Sequence, residues 1–258
     1  MCGRYLVITE DEIIEMRAIL EELNNTFGSS DSFNIFNQLP QPLISNLQLD
    51  NDPFVKYAKN HNLSNASELF PSQTAPVIVF DNDALSIKPM KWGFTKWDGK
   101  GNIINARSEN IENNSFFKDS FSSRRCIIPS RGFFEWSHNN TKPNIKHATF
   151  PTNQTTFFDT QEINNDNISK NTISASNKFL IRKPNNPFFF MAGVYQLKEN
   201  IHEFAILTMP ANRSVESIHN RMPVSIDLSE FTFWLNKNIL FDELFTKNLQ
   251  SKYITTPL

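Results

Sequence analysis

Apolar positions along this chain recur mostly at every second residue, and the three-to-four spacing of a helix surfaces in only a few windows. Residues 5–8 (Tyr-Leu-Val-Ile) predict a short strand that carries Cys2 inward. Thr9 then opens a helix. Thr9 and Glu12 have capping-box spacing, Ile13, Met16, Ile19, Leu20 and Leu23 form an apolar stripe, and Asn24-Asn25 is the stop. Residues 28–66 are rich in Asn, Ser, Gln and Pro and read as loop with short helical turns. Residues 77–80 and 84–92 predict two strands about an Asp81-Asn82-Asp83 turn. Lys100-Gly101 marks a second turn into residues 102–107. There, alternation puts Asn105, Arg107 and Glu109 on one face and Ile104 and Ala106 on the other.

Strand patterns continue at 126–129 and 132–136. In the second, Glu135 shares a face with Phe133, while Phe134 and Trp136 point the opposite way. From 137 to 177 the composition turns polar and Asn-rich, then strand-like sequence resumes at 178–181, so this stretch reads as an insertion into a hairpin. Residues 187–197 and 204–209 predict further strands. Asn212 is placed to cap a short helix through Ser217, Ser229 to start one through Leu235, and 241–249 to form a last one. No internal repeat is present. Many strands with few long helices predict an α+β, strand-dominated single domain over residues 2–258, with insertions at about 28–66 and 137–177.

Composition narrows the class of protein. A chain of 258 residues, 39% hydrophobic and 20% charged, can bury a substantial core and reads as folded and soluble. Two cysteines, Cys2 and Cys126, make no disulfide framework, so a reducing, cytoplasmic compartment is expected. The opening residues do not read as a secretory signal, and no apolar run is long enough to span a bilayer, so no membrane partner is expected. Net charge of −2 excludes a wholesale basic surface; any nucleic-acid site must be a local cluster of Lys and Arg. Phe is abundant (24) and Tyr scarce (4), which supplies core rings and leaves room for base-stacking platforms among them.

Chemistry enters at position two. With Met1 removed, Cys2 presents an α-amine and a thiol on adjacent carbons, with ordinary pKa values of about 7.7–8.0 and about 8.5. An amine condenses with an aldehyde to an imine, and a thiol two atoms away closes that imine into a five-membered ring. A terminal cysteine is therefore a nucleophile for acyl transfer or a trap for aldehydes; alone, it is also an ordinary residue. Glu135 reads either as a proton donor in an aromatic setting or as a strand carboxylate paired with Arg131 or a lysine. His219 titrates near neutrality, but a histidine before Asn-Arg also suits a cap or a surface. Asn105 cannot titrate, so it orients neighbours by hydrogen bonding or is simply a half-exposed strand residue. A zinc site from Cys2, Glu135 and His219 lacks the close spacing of metal-ligand motifs, so neither metal nor cofactor is expected.

Four stretches occur together: Met1-Cys2-Gly3-Arg4-Tyr5, Ile104-Asn105-Ala106-Arg107-Ser108-Glu109, Gly132-Phe133-Phe134-Glu135-Trp136 and Ser217-Ile218-His219-Asn220-Arg221-Met222-Pro223. In identity and order they resemble the SRAP (SOS response-associated peptidase) family, with further matches at Lys91-Trp92-Gly93-Phe94, Arg125-Cys126-Ile127-Ile128-Pro129 and Phe190-Met191-Ala192-Gly193. The resemblance implies a barrel-like antiparallel core flanked by short helices, and a monomer that shields abasic sites in single-stranded DNA as part of the response to DNA damage. It implies a thiazolidine crosslink through Cys2, with Asn105, Glu135 and His219 as catalytic residues. It also implies phosphate contacts from Arg4, Arg107 and Arg221 and a DNA-side proline at Pro71, and it makes Trp97 and Phe117 candidates for stacking on bases or wedging a strand–duplex junction, with core packing as the alternative. Three phosphate contacts predict a log–log salt slope near about −2.

Two positions depart from the family's pattern: Glu68 stands where many relatives have Asn, and Asn220 follows His219 where Asp is usual. The peptidase label implies self-processing at most, and the cytoplasmic expectation extends to association with the nucleoid. Two other readings stand beside this one, the first of them opened by the N-terminal Met-Cys-Gly. A class II glutamine amidotransferase would need a downstream oxyanion pocket of Asn and Gly and a synthase partner. A passive single-strand binder would use the arginines without covalent chemistry.

Overall fold

The computed structural model describes residues 2–26, 68–137, 177–235 and 241–258. The expected loop over 28–66 and nearly all of the 137–177 insertion lie outside the described residues. In chain order the elements are β1 (Arg4–Leu6), α1 (Glu10–Thr26), β2 (Glu68–Leu69), β3 (Thr74–Asp81), β4 (Ala84–Trp92), β5 (Phe94–Thr95), β6 (Asn102–Ile103) and β7 (Asn105–Arg107). There follow α2 (Lys118–Ser123), β8 (Arg125–Ser130), β9 (Gly132–Trp136), β10 (Lys178–Arg182), β11 (Phe189–Lys198), β12 (Ile201–Pro210), β13 (Arg221–Pro223) and β14 (Ser225–Ile226). α3 (Phe231–Leu235), α4 (Phe241–Gln250) and β15 (Ile254–Pro257) end the chain, which is α+β and strand-dominated as expected.

Five strands close a barrel. β12 pairs with β4, β4 with β3, β3 with β8, β8 with β11, and β11 returns to β12. Every pair is antiparallel except β12 with β4, which is parallel through Glu203↔Lys91 and Phe204↔Trp92. Closure removes the unpaired edges of the sheet. β12 is ten residues long, and only its first part serves the barrel. Its second part takes β7 in parallel (Ile206↔Asn105) and β13 antiparallel (Pro210↔Arg221), which brings two of the motif segments to one strand. A second, antiparallel sheet runs β15-β10-β9-β1-β2. Tyr5 of β1 joins the two sheets, its ring 5.1 Å from Trp92, which in turn stacks on Phe204 at 6.3 Å. Tyr5, Trp92 and Phe204 have no accessible surface; burial of a large side chain contributes about 1.5–3 kcal/mol.

Local signals set the remaining elements. At the start of α1 the Thr9 N–H donates to Glu12 Oε2 (2.7 Å) and the Glu12 N–H to Thr9 Oγ1 (3.4 Å), the reciprocal cap that the sequence predicts. Ile13, Met16, Leu20 and Leu23 are buried. Asn24 then clamps the helix to β4, accepting from the Leu85 N–H (2.7 Å) and donating to its carbonyl (3.0 Å). Asn82 and Asp83 take positive φ (51° and 58°) between β3 and β4, the backbone a two-residue hairpin turn requires. β9 and β10 pair antiparallel on either side of the Asn-rich stretch, and the Ser137 N–H donates to the Asn177 carbonyl at 2.8 Å.

Three local expectations change. In place of a helix from Asn212 through Ser217, residues 213–218 form consecutive turns, with the Asn212 side chain accepting from the Ser214 N–H at 3.0 Å. The helix expected from Ser229 starts at Phe231, behind a 3-10 turn over Leu228–Glu230, where Glu230 accepts from the Asp227 N–H at 2.7 Å. The sequence pattern predicts neither α2 nor β15, because six- and four-residue elements are too short for a periodic signal. Among the described residues no helix is long and apolar enough to cross a membrane.

Candidate active site

The ladder between β1 and β9 runs Arg4↔Phe134, Tyr5↔Phe133 and Leu6↔Gly132. Tyr5 and Phe133 point into the core. Strand alternation turns Glu135 the same way, and it is 3% exposed. Cys2 sits two residues ahead of this ladder with no accessible surface, and its thiol donates to the Arg4 carbonyl at 3.6 Å. Arg131, a sequence-level alternative partner for Glu135, pairs instead with Glu12 at 3.2 Å.

β7 supplies the next residue. Its parallel pairing with β12 places the Asn105 Nδ2 where it donates to the Cys2 carbonyl at 2.9 Å. Asn105 is buried, and its Oδ1 accepts no hydrogen bond among the described residues. A buried acceptor left unmet costs roughly 1–3 kcal/mol, so the residue holds unused capacity beside Cys2.

His219 follows the turns that begin at Asn212. Asn212 Nδ2 fastens those turns to the carbonyls of Asn248 (2.9 Å) and Ser251 (2.8 Å), at the end of α4. The His219 N–H donates to the Val215 carbonyl (3.0 Å), and its Nδ1 accepts from the Arg221 N–H (3.0 Å). The same Nδ1 lies 3.1 Å from the Arg221 carbonyl, so the backbone of Arg221 offers it both a donor and an acceptor. Glu135 Oε1 stands 3.9 Å from the same Nδ1, in electrostatic contact but beyond hydrogen-bond length, with both side chains at most 10% exposed.

Burial sets the charge states here. It pushes the Glu135 carboxyl up to about 7, against the pull of the positive charge at the amino terminus. Near neutral pH the carboxyl is thus divided between acid and base forms, as a general acid requires. The Cys2 thiol is raised well above its ordinary value, first by burial and then by the Glu135 charge, so it rests as S–H. An amine at this position would therefore react before the sulfur does.

The other predicted residues are less uniform. Arg107 is exposed, and no hydrogen bond or ion pair to its guanidinium occurs among the described residues. Arg221 donates through both terminal nitrogens to Glu109, and Nη2 also reaches the Thr208 carbonyl at 2.6 Å. That contact holds the Glu109 carboxyl below its usual range. Arg4 lies over the rings of Phe70 (4.5 Å) and Trp136 (4.9 Å) and meets Glu68 at 3.5 Å. Pro71 is half-buried in the turn after β2, and Asn102 Nδ2 donates to Ser72 Oγ (2.7 Å), joining that turn to the β5–β6 hairpin.

Trp97, in that hairpin, is 86% exposed with its ring edge-on to Phe116 at 6.0 Å. Phe117 requires a correction. It is 5% exposed and packs against Phe94 (5.4 Å) and Phe116 (5.1 Å), so it is a core ring with no open face for a base. Half-buried Phe116 holds the place beside Trp97. Lys178 escapes a reading by motif, and so do the pairings of Glu68 with Arg4 and of Glu109 with Arg221, because the partners lie far apart in sequence. Lys178↔Trp136 pairing appears only when β10 is set against β9 across the insertion.

A family model described as SOS response associated peptidase (SRAP) matches residues 1–255. The chain belongs to the SRAP family. Relatives of this SRAP chain include the abasic site processing protein YoqW of Bacillus subtilis (strain 168). It is 24% identical over 247 residues, covering 92% of this chain and 80% of the relative. The abasic site processing protein HMCES of Rattus norvegicus is 27% identical over 208 residues, 70% of this chain and 54% of that protein. A solved structure of a phage-related protein from Bordetella bronchiseptica is similar with a TM-score of 0.58 at 16% identity, covering 100% of this chain and 94% of that one; the likeness is one of fold. Within the SRAP sequence pattern, Asn220 is exposed and its carbonyl accepts from the Ala211 N–H at 3.0 Å, while Glu68 lies against Arg4 and Lys178.

Proposed function

We propose that this chain captures abasic sites in single-stranded DNA as a covalent thiazolidine at Cys2, after Met1 is removed. The observation that carries the reading is the 2.9 Å hydrogen bond from Asn105 to the Cys2 carbonyl, beside the Glu135–His219 pair. Contacts thus link residues of four motifs far apart in sequence, Asn105 to Cys2 and His219 to Glu135, which supports the reading. The names of the relatives, abasic site processing proteins, support the substrate class.

The steps follow from the protonation states. An abasic deoxyribose opens to an aldehyde, with His219 assisting proton transfer through its ring nitrogens. The Cys2 amine adds to C1′, and the resulting carbinolamine loses water as Glu135 protonates the departing hydroxyl. The thiol then adds across the imine, sulfur to carbon and proton to nitrogen, closing the ring. The net change is loss of one water. Asn105 orients Cys2 through its carbonyl, and its unused Oδ1 is available to accept from the free amine. Arg107 binds a flanking phosphate, and Trp97 and Phe116 offer rings to neighbouring bases. Self-processing that releases Met1 is the only peptidase activity included in this reading.

Incubating the protein with a uracil-containing oligonucleotide, with and without uracil glycosylase, separates covalent capture from passive binding. A heat-stable, slower-migrating band is expected only after base removal, and not with Cys2→Ala. Binding without such a band would favour the passive reading.

A further inference from the structure

The outer face of the second sheet carries a feature that the covalent step at Cys2 does not use. Arg4 of β1, Phe134 and Trp136 of β9 and Lys178 of β10 share this face, opposite Glu135. Lys178 Nζ lies over the Phe134 ring at 4.4 Å and 5.8 Å from that of Trp136, and Phe134 is buried. Arg4 is held over Trp136 and Phe70. Both cations converge on one carboxylate: Lys178 bonds Glu68 Oε1, and Arg4 Nη1 lies 3.5 Å from Glu68 Oε2. Side-chain exposures of 39%, 20% and 28% for Arg4, Lys178 and Glu68 leave the group open to solvent.

Two cations fixed by ring contacts and aimed at a single pair of oxygens make a site for an oxyanion. The family resemblance already assigns Arg4 to a DNA phosphate; we infer that Lys178 completes that subsite and that Glu68 fills it as an internal competitor. The carboxylate presents two oxygens to two cations much as a phosphate would. It is supplied by the two-residue strand β2, at the edge of the sheet, so it can be displaced without opening the barrel. Glu68 therefore weakens non-covalent attachment on this side of Cys2. The strand is released more readily there unless the covalent step follows. This inference rests on the single-stranded DNA reading above.

The test is equilibrium binding of an intact single-stranded oligonucleotide, without abasic sites, to wild type, Glu68→Gln, Lys178→Ala and the double variant across a salt series. Glu68→Gln is expected to tighten binding roughly three- to tenfold at low salt. It is also expected to steepen the log–log salt slope by about 0.7 per cation freed. Both gains should shrink when Lys178 is also replaced. An unchanged affinity and slope for Glu68→Gln, or a gain that persists in full without Lys178, would overturn the subsite while leaving crosslinking at abasic DNA intact. Absence of binding by every variant, together with absence of crosslinking, would overturn both readings. Thermal melting of each variant separates loss of fold from loss of the subsite.

Discussion

Glu135 is the residue whose environment says most. A carboxyl raised by burial to about 7 is an acid at the pH where an amine is still partly a nucleophile. Glu135→Gln is expected to slow crosslink formation by about 10²-fold or more, with little change in non-covalent DNA affinity. The wild-type rate should show a descending limb near pH 7 that the variant lacks. Stability gives an independent check. The folded-state value lies above the ordinary 4.5, so the stability linked to Glu135 is fully present below about 4.5 and is lost as pH rises through about 7. The loss is on the order of 3 kcal/mol. Glu135→Gln should therefore raise Tm at pH 8 and change it little at pH 4. Asn105→Ala combines opposing effects: it strands the Cys2 carbonyl but removes the unmet Oδ1. Melting is expected to shift by no more than a few degrees while crosslinking slows about tenfold or more. A large drop in Tm with unimpaired crosslinking would make Asn105 a structural residue.

Among the elements, β9 matters most, since it supports β1 on one side and β10 on the other. Gly132 opens it at φ +148°, and a Cβ there would meet the Ile181 carbonyl at 2.5 Å. Gly132→Ala is expected to cost at least about 2 kcal/mol in denaturant unfolding, because backbone of β10 must move. Equal stability would mean that the β9–β10 ladder adjusts freely. The same elements show what sequence can convey. The cap at Thr9–Glu12, the stripe of α1 and the β3–β4 turn are local signals, and each appears as read. Alternation also places Glu135 inward with Phe133. It gives a strand its faces but not its neighbours. Barrel closure by β12 against β4, and the attachment of β7 and β13 to β12, join segments far apart in sequence and leave no periodic trace. Adjacent rings show the limit at its finest: Phe116 and Phe117 look alike in sequence, yet one is half-exposed beside Trp97 and the other is core. The counter-ions of Arg4 and Arg221 are hidden for the same reason.

For the whole molecule, a barrel and a second sheet meet where Tyr5 packs on Trp92, and the chain's second residue is held at that junction. With a net charge of −2 there is no global field to draw in DNA, so the proposed attachment must rest on local cations, and two of the three motif arginines already hold carboxylates. Weak non-covalent attachment followed by a covalent step at position two is the account these features support. Intact-mass spectrometry of the protein after reaction with an abasic single-stranded oligonucleotide tests it most directly. The expected species lacks Met1 and weighs the sum of protein and oligonucleotide less one water, with fragmentation placing the bond at Cys2. A protein that retains Met1, or that returns from the reaction at its starting mass, would contradict the account.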